Sequence, residues 1–160
     1  MRRLLTIGFG ALIAVSVPAG MLVEAGAANA AGTTQMTCTK LKGTATSQAV
    51  GGCSGPALIV GTKPGKGVGT SVPSAAIMGY QQAATTTWGK GGVGGTSTSG
   101  INYVTGGTAC GKSLEIVETS TIVSGTGPAA VLVGDVGSAT VCYSTTKGTI
   151  VLLKGTTLTQ

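Results

Sequence analysis

From residue 101 to residue 160 the chain alternates apolar and polar residues between closely spaced turn signals. The run from 113 to 124 reads S-L-E-I-V-E-T-S-T-I-V-S and is rich in the β-branched residues that favour strands. Gly127-Pro128 and Lys147-Gly148 interrupt the pattern, because proline lacks a ladder donor and glycine turns the chain readily. Short strands at this spacing predict one all-β domain, either an antiparallel β-sandwich or a small β-barrel.

The rest of the chain has weaker strand signals. Further strands are predicted there at residues 36–46, 49–53, 57–61 and 83–88, and a short apolar strand is predicted at residues 129–134 within the C-terminal run. The first two would form a hairpin that turns near residues 45–48. Residues 62–73 are rich in glycine, proline and lysine and are predicted to be an exposed loop. Residues 89–100 are predicted to be a mobile loop or a glycine-rich edge strand.

The N-terminus has the pattern of an export signal. Met1-Arg2-Arg3 is basic, residues 4–17 are apolar, and Ala28-Asn29-Ala30 has the small residues that signal peptidase accepts. We therefore predict a signal peptide at residues 1–30 and a secreted domain at residues 31–160. An uncleaved anchor is the alternative, although the apolar segment is short for a span of about 20 residues. With a cleaved signal peptide, the protein would contact the membrane only through that peptide during export, and the secreted domain would be extracellular or associated with the cell wall.

Four cysteines lie in the predicted secreted domain, at Cys38, Cys53, Cys110 and Cys142. An even number in an exported chain predicts two disulfides, and four cysteines allow three pairings. We favour Cys38–Cys53, which would bracket the first hairpin, and Cys110–Cys142. On loop length alone, the second bridge should stabilise the fold slightly more than the first. A zinc site is the alternative, but the spacing lacks C-x-x-C and histidine is absent.

The predicted secreted domain is basic but not strongly charged. It contains eight lysines and three acidic residues, which gives a net side-chain charge of +5. This balance is consistent with contact with an anionic cell-wall polymer or another envelope component, or only with solubility. Nucleic acid is not a predicted partner. Both arginines precede residue 4, so there is no bidentate guanidinium for phosphate or guanine, and aromatic residues are too few to form a stacking platform.

Few side chains here can perform catalysis. Histidine is absent, so a Ser-His-Asp triad is impossible. Glu115 and Glu118 are three residues apart and face opposite sides of a strand, so they cannot flank one bond as a glycosidase requires. We predict a non-enzymatic protein with no catalytic residues and no cofactor. A small secreted hydrolase that uses Glu118 or Asp135 is the alternative.

Two residues are candidates for a binding role. Glu118 shares a strand face with Leu114, Ile116 and Ile122, and if that face is interior its pKa would be raised. If the face is exterior, Glu118 is an ordinary surface carboxylate paired with lysine. Trp88 is the single tryptophan, and it would either stack on a sugar from the surface or anchor a core that has few large side chains.

Several short segments spread over most of the chain carry a family resemblance. They are T-C-T-K-L-K-G at 37–43, G-G-C-S-G at 51–55, T-T-W at 86–88, the run from 110 to 118, T-V-C-Y at 140–143 and G-T-I-V-L-L-K-G-T at 148–156. In these segments the chain resembles a group of short secreted proteins from actinobacteria. The resemblance implies a secreted β-domain with two disulfides, and it implies no activity or binding residue.

Three functions are compatible with these features. The first is an exported, non-enzymatic β-domain that acts at or near the cell envelope, through surface contacts or by binding a ligand. The second is the small hydrolase. The third is a membrane-inserted β-assembly or pore, for which the strands are short and aromatic girdles are lacking. A cavity lined by Glu118 would favour a ligand-holding barrel over a solid sandwich.

Overall fold

The computed structural model describes residues 35–160, which form nine strands and three short helices. The strands are β1 (Thr37–Thr44), β2 (Gln48–Ser54), β3 (Gly67–Ser74), β4 (Gln82–Trp88), β5 (Thr96–Thr105), β6 (Leu114–Thr126), β7 (Val136–Ser144), β8 (Thr149–Leu152) and β9 (Leu158–Thr159). The helices are α1 (Ala57–Val60) and the 3-10 helices Lys90–Gly92 and Gly127–Leu132. The predicted signal peptide lies outside the described residues. Within residues 35–160, no helix is long and apolar enough to cross a membrane.

Strands β1 to β8 form a closed antiparallel barrel, which confirms the predicted fold class and decides between the two architectures. Each strand pairs with the next along the chain, and β8 pairs back with β1, where Gly43 lies opposite Ile150. The short strand β9 pairs with the beginning of β1, at Thr37 and Cys38. Because β2 occupies the other edge of β1, β8 and β9 must share this edge.

The two ends of the barrel are built differently. One end, here called the open end, has the connections between β1 and β2, β3 and β4, β5 and β6, and β7 and β8. The opposite, closed end has the three short helices, each placed between two strands. Ile59 of α1 and Leu132 of the 3-10 helix Gly127–Leu132 are buried with the core. These two helices therefore plug one end of the barrel.

Trp88 is the largest side chain in the core of the closed end. It is fully buried, as are its core neighbours Met36 and Ile122. Its indole Nε1–H donates a 2.9 Å hydrogen bond to Ser97 Oγ, so its one polar atom is satisfied. Gly69 lies opposite Trp88 on β3, and a Cβ atom there would come within 2.9 Å of the ring. The glycine makes room for the indole.

Two of the predicted strands are wrong. Residues 57–61 and 129–134 fold as α1 and as part of the 3-10 helix Gly127–Leu132. Short apolar runs have no periodicity that separates a strand from a buried helical turn, and here Pro56 and Pro128 start helical turns. The predicted loops at 62–73 and 89–100 contain parts of β3 and β5. Both strands are paired along both edges, which outweighs the poor strand propensity of glycine.

The two disulfides are Cys38–Cys53 and Cys110–Cys142, which confirms the favoured pairing. The first joins directly opposite residues of β1 and β2 and is fully buried. Gly52, with φ of 65°, lies at an irregularity of β2 that directs Cys53 inward. The second bridge ties the connection before β6 to β7. The two bridges therefore hold different parts of the barrel wall.

Candidate functional site

Strand β6 directs Glu118 into the barrel. Ile122, on the same strand face, is only 1% exposed, so this face is the interior one. The register places Glu118 opposite Tyr103 of β5 and opposite Ala139 of β7. The carboxylate therefore lies inside the barrel wall, on the side of the core that is nearer to the open end.

Small side chains leave the middle of the barrel incompletely filled. The inward positions there are mostly serine and alanine, namely Ser71, Ala84, Ser99, Ser120 and Ala139. They surround an inner cavity of about 40 Å³, which Glu118 also lines. An eight-stranded barrel is wide enough that small inward residues leave such a space. The shortage of large side chains in the sequence therefore produces a polar chamber rather than a solid core.

A larger pocket opens above this chamber at the open end. Its volume is about 410 Å³, and its walls are aromatic and aliphatic, with Tyr103, Tyr143, Leu114, Ile116 and Ile150. Three polar residues, Gln48, Gln82 and Glu118, line both the pocket and the inner cavity. They form the floor of the pocket and the ceiling of the chamber. An apolar cup with a few polar groups at its base is typical of small-molecule sites.

Burial raises the pKa of Glu118 from 4.5 to about 7. No lysine lines either cavity, and all eight lysines in the described part of the chain are exposed. The carboxylate thus has no cationic side chain beside it to offset the loss of water. Near neutral pH its protonated and ionised forms are both populated, so it can donate or accept a hydrogen bond.

Two other polar atoms of the inner cavity have no partner. Ser99 Oγ and Gln160 Oε1 are buried and find no hydrogen bond within residues 35–160. Ser99 is 1% exposed and Gln160 is 8% exposed, and both residues line the chamber. Buried polar atoms without partners are costly, so their presence in the chamber that Glu118 also lines indicates a site for a polar group.

The other acidic residues lie elsewhere. Glu115 faces away from the chamber, and its carboxylate accepts a 2.8 Å hydrogen bond from the Ala109 backbone N–H. Asp135 follows the 3-10 helix of the closed end, where its backbone carbonyl accepts a hydrogen bond from the Ile122 N–H. Burial raises the pKa of Asp135. Neither residue lines a cavity with Glu118, so the structure does not bring together the carboxylates considered for a hydrolase.

Trp88, the second candidate binding residue, is at the opposite end of the barrel. It is fully buried and lines neither cavity, which contradicts a sugar-stacking role and agrees with a core anchor. The tyrosines of the pocket, Tyr103 and Tyr143, were not among the binding residues predicted from the sequence. Tyr143 shares its strand face with Ala139 and Val141, so the alternation contained a signal for it. Within residues 35–160, no cluster of three or more histidine, cysteine or acidic residues forms a candidate metal site.

Compared with family models, curated proteins and solved structures, the chain has no significant match in any of the three.

The raised pKa of Glu118 predicts an unusual dependence of stability on pH. Between pH 4.5 and 7 the folded protein keeps a proton on Glu118 that the unfolded chain releases. Stability should therefore fall as the pH rises through this window and level off above it. We expect this group to lower the free energy of unfolding by about 2–3 kcal/mol, measured by urea denaturation from pH 4.5 to pH 8.

Two variants isolate the contribution of Glu118. Glu118→Gln should flatten this part of the profile and be more stable than the wild type at pH 8, because the neutral amide avoids the buried charge. Glu115→Gln makes the same change on the outer face of β6 and should keep the profile of the wild type. Identical profiles for the wild type and Glu118→Gln would contradict a buried, uncompensated carboxylate.

Proposed function

We propose that this protein is an exported, non-enzymatic barrel that binds one small amphiphilic ligand in the pocket at its open end. The observation that carries the proposal is the apolar pocket of about 410 Å³ with Glu118 in its floor. The volume is within the usual range of ligand pockets, roughly 300–1,000 Å³. Eight-stranded barrels of this kind are wide enough to hold one small ligand.

The composition of the pocket supports binding rather than catalysis. Among the described residues that line the two cavities, Glu118 is the only carboxylate, and none is a histidine, lysine or cysteine. Hydrolysis of a glycoside needs a second carboxylate flanking the bond. The ligand would place its apolar part against Leu114, Ile116 and Ile150 and its polar part at the floor.

The disulfides and the N-terminal sequence support a location for the protein outside the cytoplasm. Two disulfides indicate an oxidising, non-cytoplasmic environment. The basic and apolar segments before Ala30 support export, and the resemblance to secreted actinobacterial proteins supports secretion. The exposed lysines are suited to contact with an anionic envelope polymer, while the pocket takes the ligand.

Binding of a neutral apolar fluorophore tests whether the pocket is a ligand site. N-phenylnaphthylamine, which fluoresces strongly in apolar surroundings, should bind the secreted protein at one site. Thr105 lines the pocket, so Thr105→Trp should fill it and weaken binding at least tenfold. Thr70→Trp makes the same change at an exposed position of β3 and should bind as the wild type does. An equal response of all three proteins, or no binding by the wild type, would refute the proposed site.

A further inference from the structure

We propose that the ligand of the pocket is a primary amine in its protonated form, carried on an apolar body, and that Glu118 holds its ammonium group. The inference rests on the proposed ligand-binding function and adds the chemical class of the ligand. It follows from three properties of the site within residues 35–160: hydrogen-bond acceptors without partners in the inner cavity, aromatic rings near Glu118 in the pocket, and no cationic side chain lining either space.

The polar atoms of the floor and of the inner cavity match the donors of an ammonium group. Glu118 supplies a carboxylate, Gln160 Oε1 is an acceptor, and Ser99 Oγ can also accept. Both Gln160 Oε1 and Ser99 Oγ lack a partner within residues 35–160. A primary ammonium has three N–H donors and no acceptor, so an ammonium group held by Glu118 has donors left for a further acceptor of the inner cavity, such as Gln160 Oε1. The inner cavity of about 40 Å³ has room for such a head group beneath the floor.

The walls next to Glu118 favour a cation. Tyr103 lies directly opposite Glu118 in the β5–β6 register, and Tyr143 lines the same pocket from β7. Aromatic faces attract cations, most strongly where water is excluded. The aliphatic residues Leu114, Ile116 and Ile150 lie around them and provide contacts for the apolar body of the ligand.

No positively charged side chain of the described barrel occupies the place of the ammonium group. The titratable groups that line the pocket with Glu118 are the two tyrosines, while β2, β4 and β8 contribute the uncharged Gln48, Gln82 and Ile150. From β1 and β3 the inner cavity receives only uncharged residues, such as Leu41 and Ser71. The exposed lysines repel a cation at long range, but salt screens this repulsion over about 8 Å at physiological ionic strength.

An anionic or neutral ligand fits the floor less well. A carboxylate ligand would need Glu118 to stay protonated, and it would present no donor to Gln160 Oε1. A neutral alcohol has a single donor, and it gains less from the charge of Glu118 than an ammonium group does, because only one of the two partners is charged. The three classes also differ in their proton linkage. An amine prefers the ionised form of Glu118, whereas a carboxylate or an uncharged acceptor prefers the protonated form.

Calorimetric titration with three matched ligands tests the inference. Octylamine, octanol and octanoate share one apolar chain and differ in the head group. At pH 8 octylamine should bind the secreted protein at least tenfold more tightly than octanol, and octanoate should bind most weakly. From pH 6 to pH 8 the affinity for octylamine should rise about tenfold, because Glu118, with a pKa of about 7, becomes ionised over this range while the amine stays protonated.

Variants on the two faces of β6 identify the group responsible. Glu118→Gln should reduce the preference for octylamine over octanol to about one and abolish its pH dependence. Glu115→Gln removes a carboxylate that faces away from the chamber and should keep both properties.

The outcomes separate the inference from the function on which it rests. If octanol or octanoate binds as tightly as octylamine, the amine inference is overturned while the pocket remains a ligand site. If the octylamine affinity does not rise with pH in the wild type, the inference also fails, and this result needs no variant. If none of the three ligands binds and the fluorophore does not bind either, both the inference and the proposed function fall.

Discussion

Replacement of Trp88 by alanine should lower the free energy of unfolding by about 3–5 kcal/mol, the range for removing a large aromatic side chain from a core. Trp88 is fully buried among the residues that plug the closed end, so its removal leaves a cavity that the surrounding strands cannot fill by a small shift. The change also leaves Ser97 Oγ without its hydrogen-bond donor. Urea denaturation at constant pH, followed by circular dichroism, measures the loss.

Trp88→Phe is the matched control for this experiment. Phenylalanine keeps most of the buried ring but cannot donate a hydrogen bond to Ser97, so we expect a loss of about 1–2 kcal/mol. The pocket at the open end should bind the neutral fluorophore as before in the phenylalanine variant, since Trp88 does not line it. A Trp88→Ala protein with the stability of the wild type would contradict the role of the indole as the core anchor.

Removal of the Cys38–Cys53 bridge should cost more stability than removal of Cys110–Cys142, the reverse of the order expected from loop length. The bridges span 15 and 32 residues, for which chain entropy gives about 3 and about 4 kcal/mol. Cys38 and Cys53 are fully buried in the core, however, and their replacement by alanine also leaves a cavity worth roughly 1–2 kcal/mol. We expect about 4–5 kcal/mol for the Cys38→Ala, Cys53→Ala double variant.

The comparison needs both double variants under the same conditions. Cys110 and Cys142 are partly exposed, so their replacement by alanine should cost about 4 kcal/mol or slightly less, without a large cavity contribution. Urea denaturation of both variants and the wild type, with thiols counted to verify the remaining bridge, gives the order. A Cys110→Ala, Cys142→Ala protein that is clearly the less stable of the two would show that loop entropy outweighs packing here.

The sequence by itself determined the class of fold and favoured one of the three possible cysteine pairings. Alternation of side chains over residues 113–124 and 136–144 predicts strands, because successive residues of a strand point to opposite faces. Local turn signals predict the hairpin of β1 and β2, and the two cysteines that form its disulfide lie in the same segment of the chain. These features depend on residues that are close along the chain. The local pattern also limited Glu118 to two orientations, inward or outward.

Only the tertiary structure decided between those orientations. One strand face combines Glu118 with Ile116 and Ile122, so the local pattern is equally compatible with a charged interior and a mixed surface. A sandwich and a barrel also share the same alternation, and the difference between them lies in the pairing of β1 with β8, which are about a hundred residues apart along the chain. The pocket that Glu118, Tyr103 and Tyr143 line exists because this pairing closes the barrel wall. Closure of the barrel also creates a buried end, where the apolar side chains of short helical turns pack against the core.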